Sequence, residues 1–97
     1  MQIVIDQNKI EAFCRLHHIQ QLALFGSVLR EDFSSASDVD VLVEFEPGHL
    51  PGLAFFAMQK ELSSILDREV DLNTACFLSP YFREHVLAEA EVQYAAR

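Results

Sequence analysis

Asp38 and Asp40 are separated by one residue in the segment Asp-Val-Asp-Val-Leu-Val-Glu-Phe, residues 38–45. Val39, Val41, Val43 and Phe45 alternate through it and β-branched residues dominate, so the segment is predicted to be a strand. Side chains of a strand alternate between faces, which sends both carboxylates to the same side, about 6.5 to 7 Å apart. Two carboxylates so placed repel each other. A hard divalent cation such as Mg²⁺ turns that repulsion into ligation and keeps positions open for phosphate oxygens. The alternative is a plain solvated face of a half-exposed strand, although Leu42 interrupts the run of acidic residues on that face. Asp71 is a third carboxylate, set inside a short apolar stretch, Val70-Asp71-Leu72. If that stretch lies beside the first strand, three carboxylates converge. Three suffice for a two-metal site with ions about 3.5 to 4 Å apart. If it does not, Asp71 is a strand-end residue facing water.

Gly26-Ser27 is a candidate phosphate cradle. Glycine admits a close backbone approach, the N–H groups at a helix start attract phosphate, and the serine hydroxyl adds a donor. Alone the pair reads as an ordinary turn with a helix cap. Its spacing to the aspartates is more informative: ten residues separate Ser27 from Asp38, giving Gly-Ser-x10-Asp-x-Asp. The four histidines, His17, His18, His49 and His85, show no metal-ligand spacing. No Ser-His-Asp set is recognisable. His17 continues the apolar stripe of the first helix, which suggests a hydrogen-bonded core or interface residue.

The elements that must hold these residues follow from periodicity. Ile10, Phe13, Cys14 and His17 lie on one stripe of a helix over 6–17, with Asp6 or Asn8 as cap. Residues 20–25 read as a strand, 28–31 as a turn of helix, 32–37 as a loop and 38–45 as the next strand. The breakers Pro47-Gly48 and Pro51-Gly52 end that strand. A second helix spans 53–66, with Phe55, Met58, Leu62 and Ile65 inward and Gln59, Lys60, Glu61, Ser63 and Ser64 mostly on the other side. Residues 69–72 read as a short strand. Ser79-Pro80 opens a last helix carrying Phe82, Val86 and Ala90. Helices alternating with strands predict a small sheet covered by helices, of class α/β or α+β, with strand direction left open. There is no repeat and no linker, so residues 1–97 are expected to form a single domain.

Composition bounds what such a site can serve. Half-apolar usage and a length of 97 residues suit one folded domain with a modest core. The formal charge of −8 and seven dispersed basic residues disfavour direct binding to nucleic acid. An acidic surface suits a basic partner, bound cations or simply solubility. Cys14 and Cys76 are isolated, and Cys14 is expected to be a small buried thiol. No signal peptide and no spanning segment of roughly 20 apolar residues is evident, which points to the cytoplasm and away from membranes.

Taken together, Gly26-Ser27, Arg30, Ser37-Asp38-Val39-Asp40 with the following Val-Leu-Val-Glu-Phe, Pro51-Gly52-Leu53, Glu69-Val70-Asp71-Leu72 and Leu78-Ser79-Pro80-Tyr81 resemble the minimal nucleotidyltransferases (MNT) of the DNA polymerase beta superfamily. Within it the chain is most similar to the antitoxins paired with HEPN toxins. That resemblance implies a small mixed sheet flanked by helices. It implies metal ligation and catalysis by Asp38, Asp40 and Asp71, and nucleotide contacts from Gly26, Ser27 and Arg30. It further implies two Mg²⁺ ions, ATP as substrate, and transfer of AMP to a tyrosine of a partner HEPN toxin, an RNase, in a hetero-oligomer. Glu31 departs from the family, where small residues are common; a carboxylate facing the site there would repel a nucleotide. Two other readings stay open: an acidic antitoxin that masks its toxin without chemistry, and nucleotidyl transfer to a small molecule.

Overall fold

The computed structural model describes residues 5–26, 38–49, 51–74, 84–85 and 88–96. Helix α1, Gln7–Leu16, starts where Asp6 takes an extended backbone and its carboxylate accepts from the Asn8 and Lys9 N–H groups at 3.0 and 3.3 Å. These are two of the donors that no carbonyl inside the helix can satisfy. Ile10, Phe13 and Cys14 are buried along one stripe, as periodicity requires. The chain turns at His18, with φ of 57°, directly into strand β1, Ile19–Phe25.

Strand β2, Val39–Phe45, pairs antiparallel with β1. Helix α2, Ala54–Leu66, then carries the chain back, so that strand β3, Val70–Thr74, lies parallel to β2. Parallel neighbours need such a crossover, because a tight turn cannot return the chain to the same end of the sheet. A fourth strand, β4 over Glu91–Ala95, pairs antiparallel with β1. The sheet is mixed, in the order β3-β2-β1-β4.

Helices α1 and α2 pack on one face of the sheet. Val39, Val41 and Val43 of β2, Leu22 and Leu24 of β1, and Leu72 of β3 meet Ile10, Phe13 and Cys14 from α1 and Phe55, Met58 and Leu62 from α2 in a single core. Leu66 completes the α2 stripe as a buried residue and Ile65 is half-buried. On the opposite face Phe25 and Leu42 form a smaller apolar cluster against Ala90. Among the described residues no helix is long and apolar enough to cross a membrane.

The expected elements over 6–17, 20–25, 38–45, 53–66 and 69–72 are present with ends shifted by one or two residues. β4 was not anticipated. It is a five-residue strand at the edge of the described sheet, in which Glu91, Val92 and Ala95 are exposed, and only Tyr94 packs toward the main core. A short edge strand of this kind carries little of the hydrophobic alternation by which strands are read. In the last predicted helix, residues 84–85 and 88–89 are helical. Its start at Ser79-Pro80, and the predicted turn of helix over 28–31, lie outside the described residues.

Candidate active site

The three aspartates stand at one end of the sheet, where β2 and β3 begin and β1 finishes. Asp40 and Asp71 are direct partners in the parallel register of β2 and β3. Partners in register share a face, and neighbouring strands lie about 4.8 Å apart, so both carboxylates leave the same side of the sheet. Asp38 precedes Asp40 by two positions, just before β2, and falls on that side by alternation. It is the face opposite the helices, because the intervening Val39 and Val41 are fully buried in the main core. Asp38 and Asp71 are exposed and Asp40 is half-buried. The face is not a plain wet one: two residues beyond Asp40, Leu42 is buried against Phe25 and Ala90.

On the other side of β2, Asp40 is paired with Phe25, the last residue of β1. The next residue, Gly26, has φ of 76°, and its backbone passes so close to Asp40 that a Cβ there would run into the Asp40 carboxylate. Glycine suits this position twice over, by the left-handed backbone and by the close approach. The result is a peptide backbone seated against a carboxylate at the head of the sheet. Ser27 and Arg30, the other expected nucleotide contacts, lie outside the described residues, as does Glu31.

Hydrogen bonds hold the two aspartate strands at one level. The Val39 N–H, between Asp38 and Asp40, donates to the Glu69 carbonyl at 2.9 Å, just before β3. From α2, Gln59 Oε1 accepts from the Leu72 N–H at 3.0 Å, and Ser63 Oγ accepts from the Val70 N–H at 3.1 Å. These two bonds bracket Asp71 in sequence. Periodicity had placed Gln59 and Ser63 on the solvated side of the helix; in the structure both are half-buried. Their i, i+4 spacing was the available signal, but nothing in it identified β3 as the partner.

The donor set suits a hard cation: three carboxylates, which are the ligands Mg²⁺ takes, beside a backbone cradle a Cβ would fill. Among the described residues no three acidic, histidine or cysteine side chains form a ready-made cage around an ion. What the backbone supplies is a shared face and a shared register. The histidines are placed elsewhere. His17 Nε2 lies 2.7 Å from Glu61 Oε2, joining α1 to α2, which fits the role expected for it. His18 and His49 stack with ring centroids 4.0 Å apart at the far end of β1 and β2.

A family model described as the nucleotidyltransferase domain matches residues 7–92 of this chain. The chain belongs to the nucleotidyltransferase domain family. This nucleotidyltransferase is 32% identical over 90 residues to a Methanocaldococcus jannaschii protein provisionally named a protein adenylyltransferase, an alignment covering 93% of this chain and 96% of the relative. Among solved structures it is similar to one provisionally named a minimal nucleotidyltransferase, with a TM-score of 0.74 and 33% identity over 88% of this chain and 86% of that one. It is also similar to a chain in the structure of a tri-AMPylated Shewanella oneidensis HEPN toxin in complex with its MNT antitoxin, with a TM-score of 0.67, 26% identity, and coverage of 93% and 70%. The expected membership of the minimal nucleotidyltransferases and the mixed-sheet fold are both borne out.

Proposed function

We propose that this nucleotidyltransferase is an Mg²⁺-dependent antitoxin that acts as one cytoplasmic domain. In this reading it moves AMP from ATP to a tyrosine hydroxyl of a HEPN-type RNase toxin and so neutralises it. The observation that carries the reading is the register that pairs Asp40 with Asp71, with Gly26 pressed against the Asp40 carboxylate. The AMP carried by the toxin in the similar complex, and the name of the archaeal relative, support the acceptor class.

Asp38 and Asp40 would hold two Mg²⁺ ions, and Asp71 would complete the coordination of one of them. When bound, the ions supply charge neutralisation at the phosphates and polarise the reacting oxygens. The backbone at Gly26, with Ser27 and Arg30, grips the β and γ phosphates through N–H, hydroxyl and guanidinium donors. Asp71 accepts the proton of the attacking hydroxyl. The new bond joins that oxygen to the α phosphorus, the bond from the α phosphorus to the bridging oxygen breaks, and pyrophosphate leaves. Positioning and electrostatics supply most of the rate, as is general for phosphoryl transfer.

The test is intact-mass spectrometry of a HEPN-type partner protein after incubation with this chain, ATP and Mg²⁺. Mass increments of one or more AMP units are expected, and they should disappear with the Asp38→Asn, Asp40→Asn double variant. Neutralisation of the toxin by that double variant, with no mass change in either reaction, contradicts the proposal and marks the protein as a masking partner.

A further inference from the structure

Among the described strands β3 lies at the edge of the sheet, and every second N–H along it faces away from β2. No described strand lies on that side to accept from those donors, so another element must satisfy them. The structure supplies the missing acceptors from α2. The Val70 N–H donates to Ser63 Oγ and the Leu72 N–H to Gln59 Oε1. Ser63 Oγ in turn donates to the Gln59 carbonyl at 2.9 Å, which holds the hydroxyl so that its lone pairs face the strand. The spacing matches: four residues of helix rise about 6 Å and two residues of strand about 6.6 Å. One face of α2 thereby presents acceptors at the repeat that a neighbouring strand would offer.

Asp71 lies between the two anchored residues, and its partner in β2 is Asp40. We infer that Gln59 and Ser63 are positioning residues that clamp the outer edge of β3 and so fix Asp71 level with Asp40. They touch neither nucleotide nor metal; they act through the backbone of Asp71. The inference rests on the proposed function in assigning Asp71 to the site.

The experiment compares the wild type with Gln59→Ala/Ser63→Ala, with the acceptor-retaining pair Gln59→Glu/Ser63→Thr, and with Asp71→Asn. Two readouts are taken on folded protein: the rate of AMP transfer to the HEPN-type partner, and Mn²⁺ affinity from titration in the absence of nucleotide. Misplacing a catalytic group by about 1 Å costs on the order of 10²-fold. The alanine pair is therefore expected to lose about tenfold to hundredfold in kcat, with KM for ATP nearly unchanged, and to bind Mn²⁺ more weakly. The acceptor-retaining pair is expected to recover most of both. An alanine pair that matches the wild type in kcat and Mn²⁺ affinity, while Asp71→Asn is inactive, overturns the inference and leaves the site reading intact. If Asp71→Asn is itself fully active, the site reading fails first. Should the alanine pair not fold, amide hydrogen exchange of the wild type decides. Val70 and Leu72 protected like the β2–β3 ladder support the clamp, and exchange at the rate of an open edge overturns it.

Discussion

Replacing Gly26 by alanine separates what this residue does for the fold from what it does for the site. Its φ of 76° lies in the left-handed region, where an L residue costs roughly 1–2 kcal/mol. In a chain of 97 residues that lowers Tm by roughly 4–16 °C. The added Cβ would also collide with Asp40 Oδ2 and lie 3.2 Å from Asp40 Cγ and 3.4 Å from Asp40 Cβ. The atom in the way is the far end of a side chain that can rotate, so the backbone holds and the carboxylate swings aside. With Asp40 in the metal-holding role proposed above, a swing of about 1 Å costs on the order of 10²-fold in rate. Gly26→Ala is therefore expected to fold, to melt several degrees lower, and to lose far more activity than stability. The assay pairs a thermal melt with AMP transfer at a temperature well below both transitions. A variant that melts lower yet transfers AMP at the wild-type rate refutes the claim that Gly26 is shaped to the Asp40 carboxylate.

The remaining expectations concern the frame. Leu62 is fully buried between α2 and the sheet, so Leu62→Ala is expected to cost about 2–5 kcal/mol in chemical denaturation. Asp6→Ala removes the cap of α1 and should cost about 1 kcal/mol, with specific activity unchanged. Burial pushes the Cys14 thiol from 9.0 up to about 12. The folded state then keeps a proton that the unfolded chain releases, so this contribution is complete below pH 9 and is lost as pH rises toward 12. Between those limits the loss is about 1.4 kcal/mol per pH unit. Denaturant melts at pH 8 and pH 10.5 should show a steeper loss in the wild type than in Cys14→Ala.

Much of the candidate site was legible because strand alternation is a strong rule. It put Asp38 and Asp40 on one side from their spacing alone, and Val39, Val41 and Val43 on the other. The partnership of Asp40 with Asp71 was not legible. It depends on where α2 returns the chain, and a crossover helix leaves no mark of register in either strand. Gly26 was readable as a turn residue, but its contact with Asp40 arises from two segments brought together only by pairing of β1 with β2. Gln59 and Ser63 were misplaced for a related reason. A polar residue on a helix reads as solvated unless something tells the reader that an edge strand's donors face it. β4 escaped because an edge strand needs little apolar alternation to pair, and its packing contribution is nearly confined to Tyr94.

Whether carboxylates of the β2 and β3 segments act together on one cation-bound nucleotide is read from the anomalous scattering of Mn²⁺ in crystals grown with a non-hydrolysable ATP analogue. Density is expected within about 2.2 Å of carboxylate oxygens of Asp38, Asp40 and Asp71, with the triphosphate reaching the Gly26 backbone. Manganese bound without Asp71, or a nucleotide seated away from the head of β2, would contradict that joint action.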